Sequence, residues 1–259
     1  MTIATLNDDT LVEKILTNEG LEFTDGFGPS QDGVRYFDPT LFDSSRKIPL
    51  LKVHGSVNWF RLRPDDGDWT EDEVGIFEQA GFDRFRRPDG RLQISEQRPM
   101  LLIGTFNKSI RYTDWFFSEI FSQFQQSLKV ADTLVISGYG FGDKGINSQI
   151  SQWTPHRIVI VHPDPEKMKQ KARGAMQRAF DYLESKGRLY LVPKRADEAQ
   201  WEEVRSQSRR PANATALLGR LGRFQVKRTV KNGHAAISCL SKKSFKASSK
   251  RRQAVARGQ

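Results

Sequence analysis

The chain contains 259 residues, of which 37% are hydrophobic and 28% charged, so its length and composition allow one or two domains with a real core. It has no run of 18 apolar residues, and its first ten residues lack a basic region and a long apolar region. We therefore expect neither a transmembrane helix nor a secretion signal, and no membrane partner. Cys239 is the single cysteine, which excludes a disulfide framework or a four-cysteine zinc module within the chain and favours a reducing, cytoplasmic location.

Charge divides the chain into two parts. Residues 205–259 contain 15 Lys and Arg residues and no Asp or Glu, whereas residues 1–204 contain 26 basic and 31 acidic residues. We expect a folded domain over residues 1–204 and a disordered basic tail over residues 205–259. The tail either binds nucleic acid or an anionic surface without specificity or is simply solvated. We favour the second interpretation, because basic tails bind polyanions with little specificity.

The first half of the chain predicts two strands, a helix and an insertion. A strand over residues 3–6 leads into a helix over residues 10–16, and the apolar run Pro49–Val53 predicts a second strand that ends at His54. Residues 61–98 are rich in Asp, Arg, Gly and Pro, which indicates a surface insertion.

After residue 100, apolar strands and helices alternate, which is the pattern of an α/β domain. The spacing of aromatic and aliphatic residues predicts a helix over residues 114–129. Because strands that alternate with helices form parallel sheets with right-handed crossovers, we predict a Rossmann-like open parallel sheet with helices on both faces. The predicted strands are 100–103, 132–137, 157–161 and 188–192, and the later helices begin at residue 147 and span residues 165–185.

Ligands of such sheets bind at the C-terminal ends of the strands, and polar residues follow several of the predicted strands. Asn7 and Asp9 come after the first strand, where they either face a ligand or cap the following helix. His54 follows the second strand, where it is either structural or suited to proton transfer, because histidine titrates near neutral pH. Both alternatives remain open on these residues alone.

Two later strands are also followed by candidate ligand-binding residues. In the segment Gly-Tyr-Gly-Phe-Gly-Asp, Gly138, Gly140 and Gly142 allow the backbone to approach a phosphate or a ribose closely, although the spacing differs from GxGxxG. Asp143 either caps the next helix or holds a hydroxyl group, and His162 follows the next strand. Ordinary strand-to-helix turns have a similar composition, so this alternative also remains open.

Taken together, these segments resemble the sirtuin-like NAD-consuming domain found in many bacterial defence proteins. The resemblance covers about residues 2–195 and implies a Rossmann-like domain that cleaves the nicotinamide N-glycosidic bond of NAD+. It rests on five ordered motifs: Thr5-x-Asn7-x-Asp9 with Glu13, Lys52-x-His54-Gly55-Ser56-x-Asn58-Trp59, Gly104-Thr105 with Lys108, Gly138–Asp143 with Ile146-Asn147, and Val161-His-Pro-Asp-Pro165.

The resemblance also implies roles for individual residues. Asn7 and Asp9 would line the nicotinamide-ribose pocket, with Asn7 at the reaction centre, and His54 would act as the base at the ribose hydroxyls. The turn over residues 138–143 would lie along the ribose and phosphates of NAD+, and no metal ion is implied. The cofactor-binding set is completed by Thr5, Gly104, Thr105 and His162.

Two departures from the family pattern bear on activity. The single cysteine excludes the zinc module of protein-deacetylating sirtuins, so the resemblance is to the NAD-hydrolysing branch. The family also begins with a strand and a Gly-Ala-Gly-x-Ser phosphate loop upstream of the asparagine motif, and no such segment precedes Thr5. We therefore expect a sheet that is incomplete at its N-terminal side and a chain that binds and cleaves NAD+ poorly.

Other classes of function remain open. The chain could be a catalytically inactive nucleotide-binding or interaction module, or a nucleic-acid-associated protein that acts through residues 205–259. If it is an enzyme, the expected partners are NAD+ and either further copies of the chain or a protein of the same defence system.

Overall fold

The computed structural model of the protein describes residues 1–44, 46–64, 73–78, 92–94, 98–102, 115–153, 157–200, 202, 204, 206 and 236–241. The chain divides into an N-terminal unit, Thr2–Phe124, and a C-terminal unit, Gln125–Gln259 together with Met1. Both units contain parallel strands flanked by helices, so the predicted α/β class is confirmed. None of the helices in the described ranges is long and apolar enough to cross a membrane.

The N-terminal unit contains three parallel strands, with β5 between β1 and β2. The predicted first strand and helix and the predicted strand before His54 correspond to β1, α1 and β5. In chain order, the elements of this unit are β1 (Thr2–Thr5), α1 (Leu11–Asn18), β2 (Phe23–Thr24), β3 (Phe27–Gln31), β4 (Val34–Phe37), α2 (Thr40–Ser44), β5 (Ile48–Lys52), β6 (Trp59–Pro64), β7 (Glu73–Phe77), β8 (Leu92–Ile94) and the first part of α3 (Trp115–Val130).

A second, antiparallel sheet of the N-terminal unit has the strand order β3-β4-β7-β6-β8. Three of its strands lie in or reach into residues 61–98, where the sequence predicts a surface insertion. Leu62 in β6 is 0% exposed and Val74 in β7 is 2% exposed, so these strands contribute to the core. The structure differs from the expectation because antiparallel strands alternate apolar with polar residues, which makes short ones look like polar loops.

Aromatic side chains form the centre of the N-terminal unit. The ring of Phe116, in α3, is fully buried, and its centroid lies 4.6 Å from that of Phe37 and 5.1 Å from that of Trp59. In both pairs the rings meet edge to face, an arrangement that adds to the free energy gained from burying their area. Trp59 follows the His54 loop directly, so this cluster also anchors the end of that loop.

The C-terminal unit contains the parallel strands that the sequence predicts most clearly. β10 lies between β9 and β11 and pairs with both in parallel, so the predicted strands at 132–137, 157–161 and 188–192 are confirmed. The elements are β9 (Ala131–Ser137), α4 (Lys144–Gln152), β10 (Arg157–Val161), α5 (Pro165–Lys171), α6 (Ala175–Ser185), β11 (Leu189–Val192) and β12 (Ala236–Ser241).

Two features of the C-terminal unit differ from the sequence-based expectation. The single helix predicted over residues 165–185 is two helices, α5 and α6, because Gly174 adopts a left-handed conformation (φ 61°) between them. Lys169 Nζ in α5 lies 2.7 Å from Glu184 Oε1 in α6, and this hydrogen bond raises the pKa of Lys169. Within residues 205–259, β12 pairs antiparallel with β9, a strand that the basic composition does not predict.

Phe116→Ala should lower the free energy of unfolding by about 3–5 kcal/mol, because it removes a fully buried ring and leaves a cavity. The adjacent Trp115 is 47% exposed, so Trp115→Ala is the matched control and should cost clearly less. Urea denaturation of both variants measures the difference. Equal losses would contradict the assignment of Phe116 to the centre of the core.

Candidate functional site

The register of β1 and β5 brings the two predicted catalytic residues to one edge of the N-terminal sheet. Thr5 lies opposite Lys52 in the parallel ladder, and Val53 N–H donates to the Thr5 carbonyl at 3.0 Å. Asn7 and His54 each lie two residues beyond these opposed positions. They therefore follow the C-terminal ends of neighbouring parallel strands, where ligands of open sheets bind.

Local hydrogen bonds shape the segment that carries Asn7 and Asp9. Thr5 is 1% exposed, and its Oγ1 accepts a hydrogen bond from Asn7 N–H at 3.1 Å. Asp9 Oδ1 accepts from Leu11 N–H at 2.9 Å at the start of α1. Asp9 therefore satisfies a backbone N–H group in the first turn of α1, although the N-cap position of the helix is Thr10. The buried Thr5 hydroxyl holds the backbone N–H of Asn7.

The loop after β5 is bonded to the segment after β1. Val57 N–H donates to the Asp8 carbonyl at 2.8 Å. The hydroxyl of Ser56, which is fully buried, donates to Asn58 Oδ1 at 2.6 Å. The loop that carries His54 and the segment that carries Asn7 therefore form one hydrogen-bonded structure.

Gly55 permits a close backbone contact directly after His54. Its φ is +89°, and a Cβ atom at this position would lie 2.0 Å from the Met100 carbonyl oxygen. The His54 carbonyl accepts from Leu102 N–H at 2.9 Å, and Leu101 forms an isolated antiparallel bridge with Gly55. The strand predicted over residues 100–103 is represented by this bridge, and Gly104 and Thr105 lie outside the described residues.

A cavity of about 250 Å³ opens beside α1 in the N-terminal unit. Asn58 is the one motif residue after β5 that lines it, and Glu13 lines it from α1. Neither Asn7 nor His54 does. The cavity therefore borders the candidate site without containing its predicted catalytic residues. Its lining consists of Thr10, Glu13, Lys14, Thr17, Asn18, Phe23, Asp25, Arg35 and Asn58.

In the C-terminal unit, the turn after β9 alternates exposed glycines with buried aromatic residues. Gly138, Gly140 and Gly142 are exposed, whereas Tyr139 and Phe141 are each 5% exposed. Backbone atoms at the glycine positions therefore face solvent, as binding of a phosphate or ribose would require.

Asn147 fixes the conformation of this turn from α4. Its Nδ2 donates to the Phe141 carbonyl at 2.8 Å, and its Oδ1 accepts from the Tyr139 hydroxyl at 2.7 Å. Phe141 has a positive φ of 55°, which is unfavourable for a residue with a side chain and requires such support. Asn147 is a functional candidate that the sequence pattern assigns no role of its own, although the residue belongs to the same motif as the turn.

Asp143 and His162 both make local contacts at the starts of helices. Asp143 caps α4, and its Oδ1 accepts from Ile146 N–H at 3.0 Å. His162 Nδ1 accepts from Asp164 N–H at 2.9 Å just before α5. Because Ser137 lies opposite Val161, Gly138 and His162 follow the ends of neighbouring parallel strands.

The described residues contain no group of three or more His, Cys, Asp or Glu side chains that could hold a metal ion. The polar groups described above include amides, hydroxyls, separate carboxylates, one imidazole at each sheet edge and exposed backbone. Such groups bind an organic ligand through hydrogen bonds.

The fold and its strand-end residues define an α/β domain with polar residues after the ends of its parallel strands. The chain belongs to the SIR2-like domain family, whose model matches residues 1–187. It therefore carries a domain of the sirtuin superfamily, and SIR2-like domains use NAD+. No curated protein matches the chain significantly.

Gly55→Ala should lower the free energy of unfolding by about 1–3 kcal/mol through backbone strain at φ +89°. The collision of the new Cβ atom with the Met100 carbonyl should add to this loss. Gly28→Ala is the matched control, since its Cβ would lie 3.7 Å from the nearest atom, the Tyr36 carbonyl oxygen. Urea denaturation compares the two. A loss for Gly55→Ala no larger than that for Gly28→Ala would show that the close approach to Met100 is absent.

Proposed function

We propose that the protein is an NAD+ glycohydrolase, which cleaves the nicotinamide N-glycosidic bond to give nicotinamide and ADP-ribose. The observation that carries this proposal is the placement of Asn7 and His54 beyond opposed positions of two parallel strands, in a domain of the SIR2-like family. An amide and an imidazole that follow the ends of neighbouring parallel strands suit hydrolysis at a ribose carbon.

The proposed reaction assigns each group a step. The bond between ribose C1′ and the nicotinamide nitrogen breaks, its electron pair leaves with nicotinamide, and the ribose becomes an oxocarbenium-like cation. Water oriented by the Asn7 amide adds its oxygen to C1′, and His54, the base at the ribose hydroxyls, takes up the released proton. Asp9 lines the nicotinamide-ribose pocket, and Thr5 positions Asn7 through its backbone N–H.

We assign the turn of the C-terminal unit to the ribose and phosphates of NAD+. Gly138, Gly140 and Gly142 expose their backbone, and backbone N–H groups near a helix N-terminus are suited to binding phosphate oxygens. Asp143 caps α4 and His162 follows the adjacent strand, so both belong to the same proposed edge. The roles proposed for Gly104 and Thr105 rest on the family resemblance.

We further propose that the cleavage serves bacterial anti-phage defence, as the resemblance to defence proteins implies. A host that expresses the intact chain should lose NAD+ and restrict plaque formation during infection. Expression of His54→Ala should do neither. Equal plaque counts with the intact chain and with His54→Ala would contradict the defence role.

His54→Ala and Asn7→Ala should each lower the rate of nicotinamide release by about 10²- to 10⁴-fold, because each removes a group that acts on the reacting atoms. Asn18→Ala, at the far end of α1, is the control and should keep full activity. Circular dichroism checks the fold of each variant. Undiminished release by His54→Ala would contradict its role, and NAD+ binding without release by the intact chain would indicate an inactive binding module.

Gly142→Ala should raise KM for NAD+ without changing the thermal midpoint. No atom lies within 4 Å of the Cβ that it would add, and Gly142 is not among the glycines with a positive φ, so the fold accommodates the methyl group. A ligand bound along the exposed backbone would instead collide with the methyl group. Gly28→Ala again provides the control. An unchanged KM would remove the turn from the proposed binding site.

A further inference from the structure

Lys52 is a fully buried lysine at the end of the strand that leads to His54. Its side chain is 0% exposed, and its Nζ donates to the Asp9 carbonyl and to Glu13 Oε1, the latter at 2.7 Å. Glu13 lies in the first turn of α1. One ammonium group therefore joins the strand before His54 to the segment and helix that follow Asn7.

Stability alone does not explain this ion pair. Removing two charges from water costs free energy that their attraction often fails to recover. Replacing a buried ion pair with apolar residues of similar volume therefore often leaves the protein equally stable or more stable. Glu13 Oε2 is also buried, and it has no hydrogen-bond partner within the described part of the chain. Two apolar residues would avoid the cost of removing the charges from water and the cost of burying Glu13 Oε2, but they could not donate a hydrogen bond to the Asp9 carbonyl.

The donors that hold the Asn7 segment lie on both sides of His54. Lys52 donates to the Asp9 carbonyl from two residues before His54, and Val57 N–H donates to the Asp8 carbonyl from three residues after it. The two carbonyls that follow Asn7 are thereby tied to the two flanks of His54. Both bonds therefore connect the segment that carries Asn7 to the loop that carries His54.

We propose that Lys52 and Glu13 are positioning residues, which hold the Asn7–Asp9 segment against the His54 loop for catalysis. Lys52 supplies the hydrogen bond, and Glu13 neutralises the buried ammonium and orients it toward the Asp9 carbonyl. The kinetic part of this inference rests on the proposed NAD+ cleavage. The structural part, that the ammonium fixes the segment, is independent of it.

The test compares Lys52→Met with the double variant Lys52→Met/Glu13→Met in the full chain. Lys52→Met alone should lower the thermal midpoint, because it leaves the Glu13 carboxylate without its cation. The double variant removes both charges and should recover most of that midpoint. Its kcat for nicotinamide release should nevertheless remain about 10²-fold below that of the wild-type chain, with a much smaller change in KM, because the reacting groups are misplaced.

The pair Lys169 and Glu184 has the same 2.7 Å separation, and its carboxylate side chain is 52% exposed, so it provides the matched control. Lys169→Met/Glu184→Met should leave kcat and KM unchanged. If the role of Lys52 is merely structural, the double variant at Lys52 and Glu13 regains kcat together with its thermal midpoint. That outcome would overturn the proposal.

Amide hydrogen exchange gives a second measurement that needs no activity. In the double variant at Lys52 and Glu13, the Val57 and Leu11 N–H groups, which donate to Asp8 and to Asp9 Oδ1, should exchange several-fold faster. Val53 N–H, which donates to the Thr5 carbonyl within the strand pair, should keep its wild-type rate. Unchanged exchange at Val57 and Leu11 would overturn the proposal even if NAD+ cleavage is demonstrated. A wild-type chain without NAD+ cleavage would contradict the proposed function, and the exchange rates would still decide the positioning role.

Discussion

Thr5 and Lys52 lie opposite each other in two parallel strands, and this register sets which residues lie at the edge that carries Asn7 and His54. Side chains alternate between the two faces of a strand, so a slip of one residue would turn the Lys52 side chain to the other face of the sheet. Its ammonium would then lose the Asp9 carbonyl and the Glu13 carboxylate. The buried pair therefore selects one register, and the register in turn sets the spacing of the candidate catalytic residues.

Parallel strands of the C-terminal unit could be predicted because burial on both faces produces uninterrupted apolar runs. Arg157–Val161 is such a run, and glycine or polar turns bound it and its neighbours. The antiparallel sheet of the N-terminal unit could not be predicted in this way. β7 pairs with β4, whose residues lie about 40 positions earlier, and the two strands have only 5 and 4 residues, too few to stand out from a loop.

The candidate site shows the same division between local and distant interactions. Asp143 as a helix cap and Asn7 and His54 as strand-end residues follow from neighbours in the sequence, and motif order adds the family. The positioning role of Lys52 could not be predicted from its neighbours, since a lysine within Leu-Leu-Lys-Val resembles a polar interruption of a strand. Its acceptors lie 43 and 39 residues earlier, at Asp9 and Glu13, and only the folded chain brings them together.

In the turn after β9, the residues that pack into the core alternate with the residues that face solvent. Tyr139 and Phe141 pack inward, with ring centroids 4.9 Å apart, while the three glycines between and beside them face outward. Substitution at the inward positions lowers the free energy of unfolding, whereas a side chain added at Gly140 or Gly142 meets open space or ordinary contact distances. Under the proposed binding role, substitutions at Gly140 and Gly142 therefore change the surface offered to a ligand and leave the core of the unit the same.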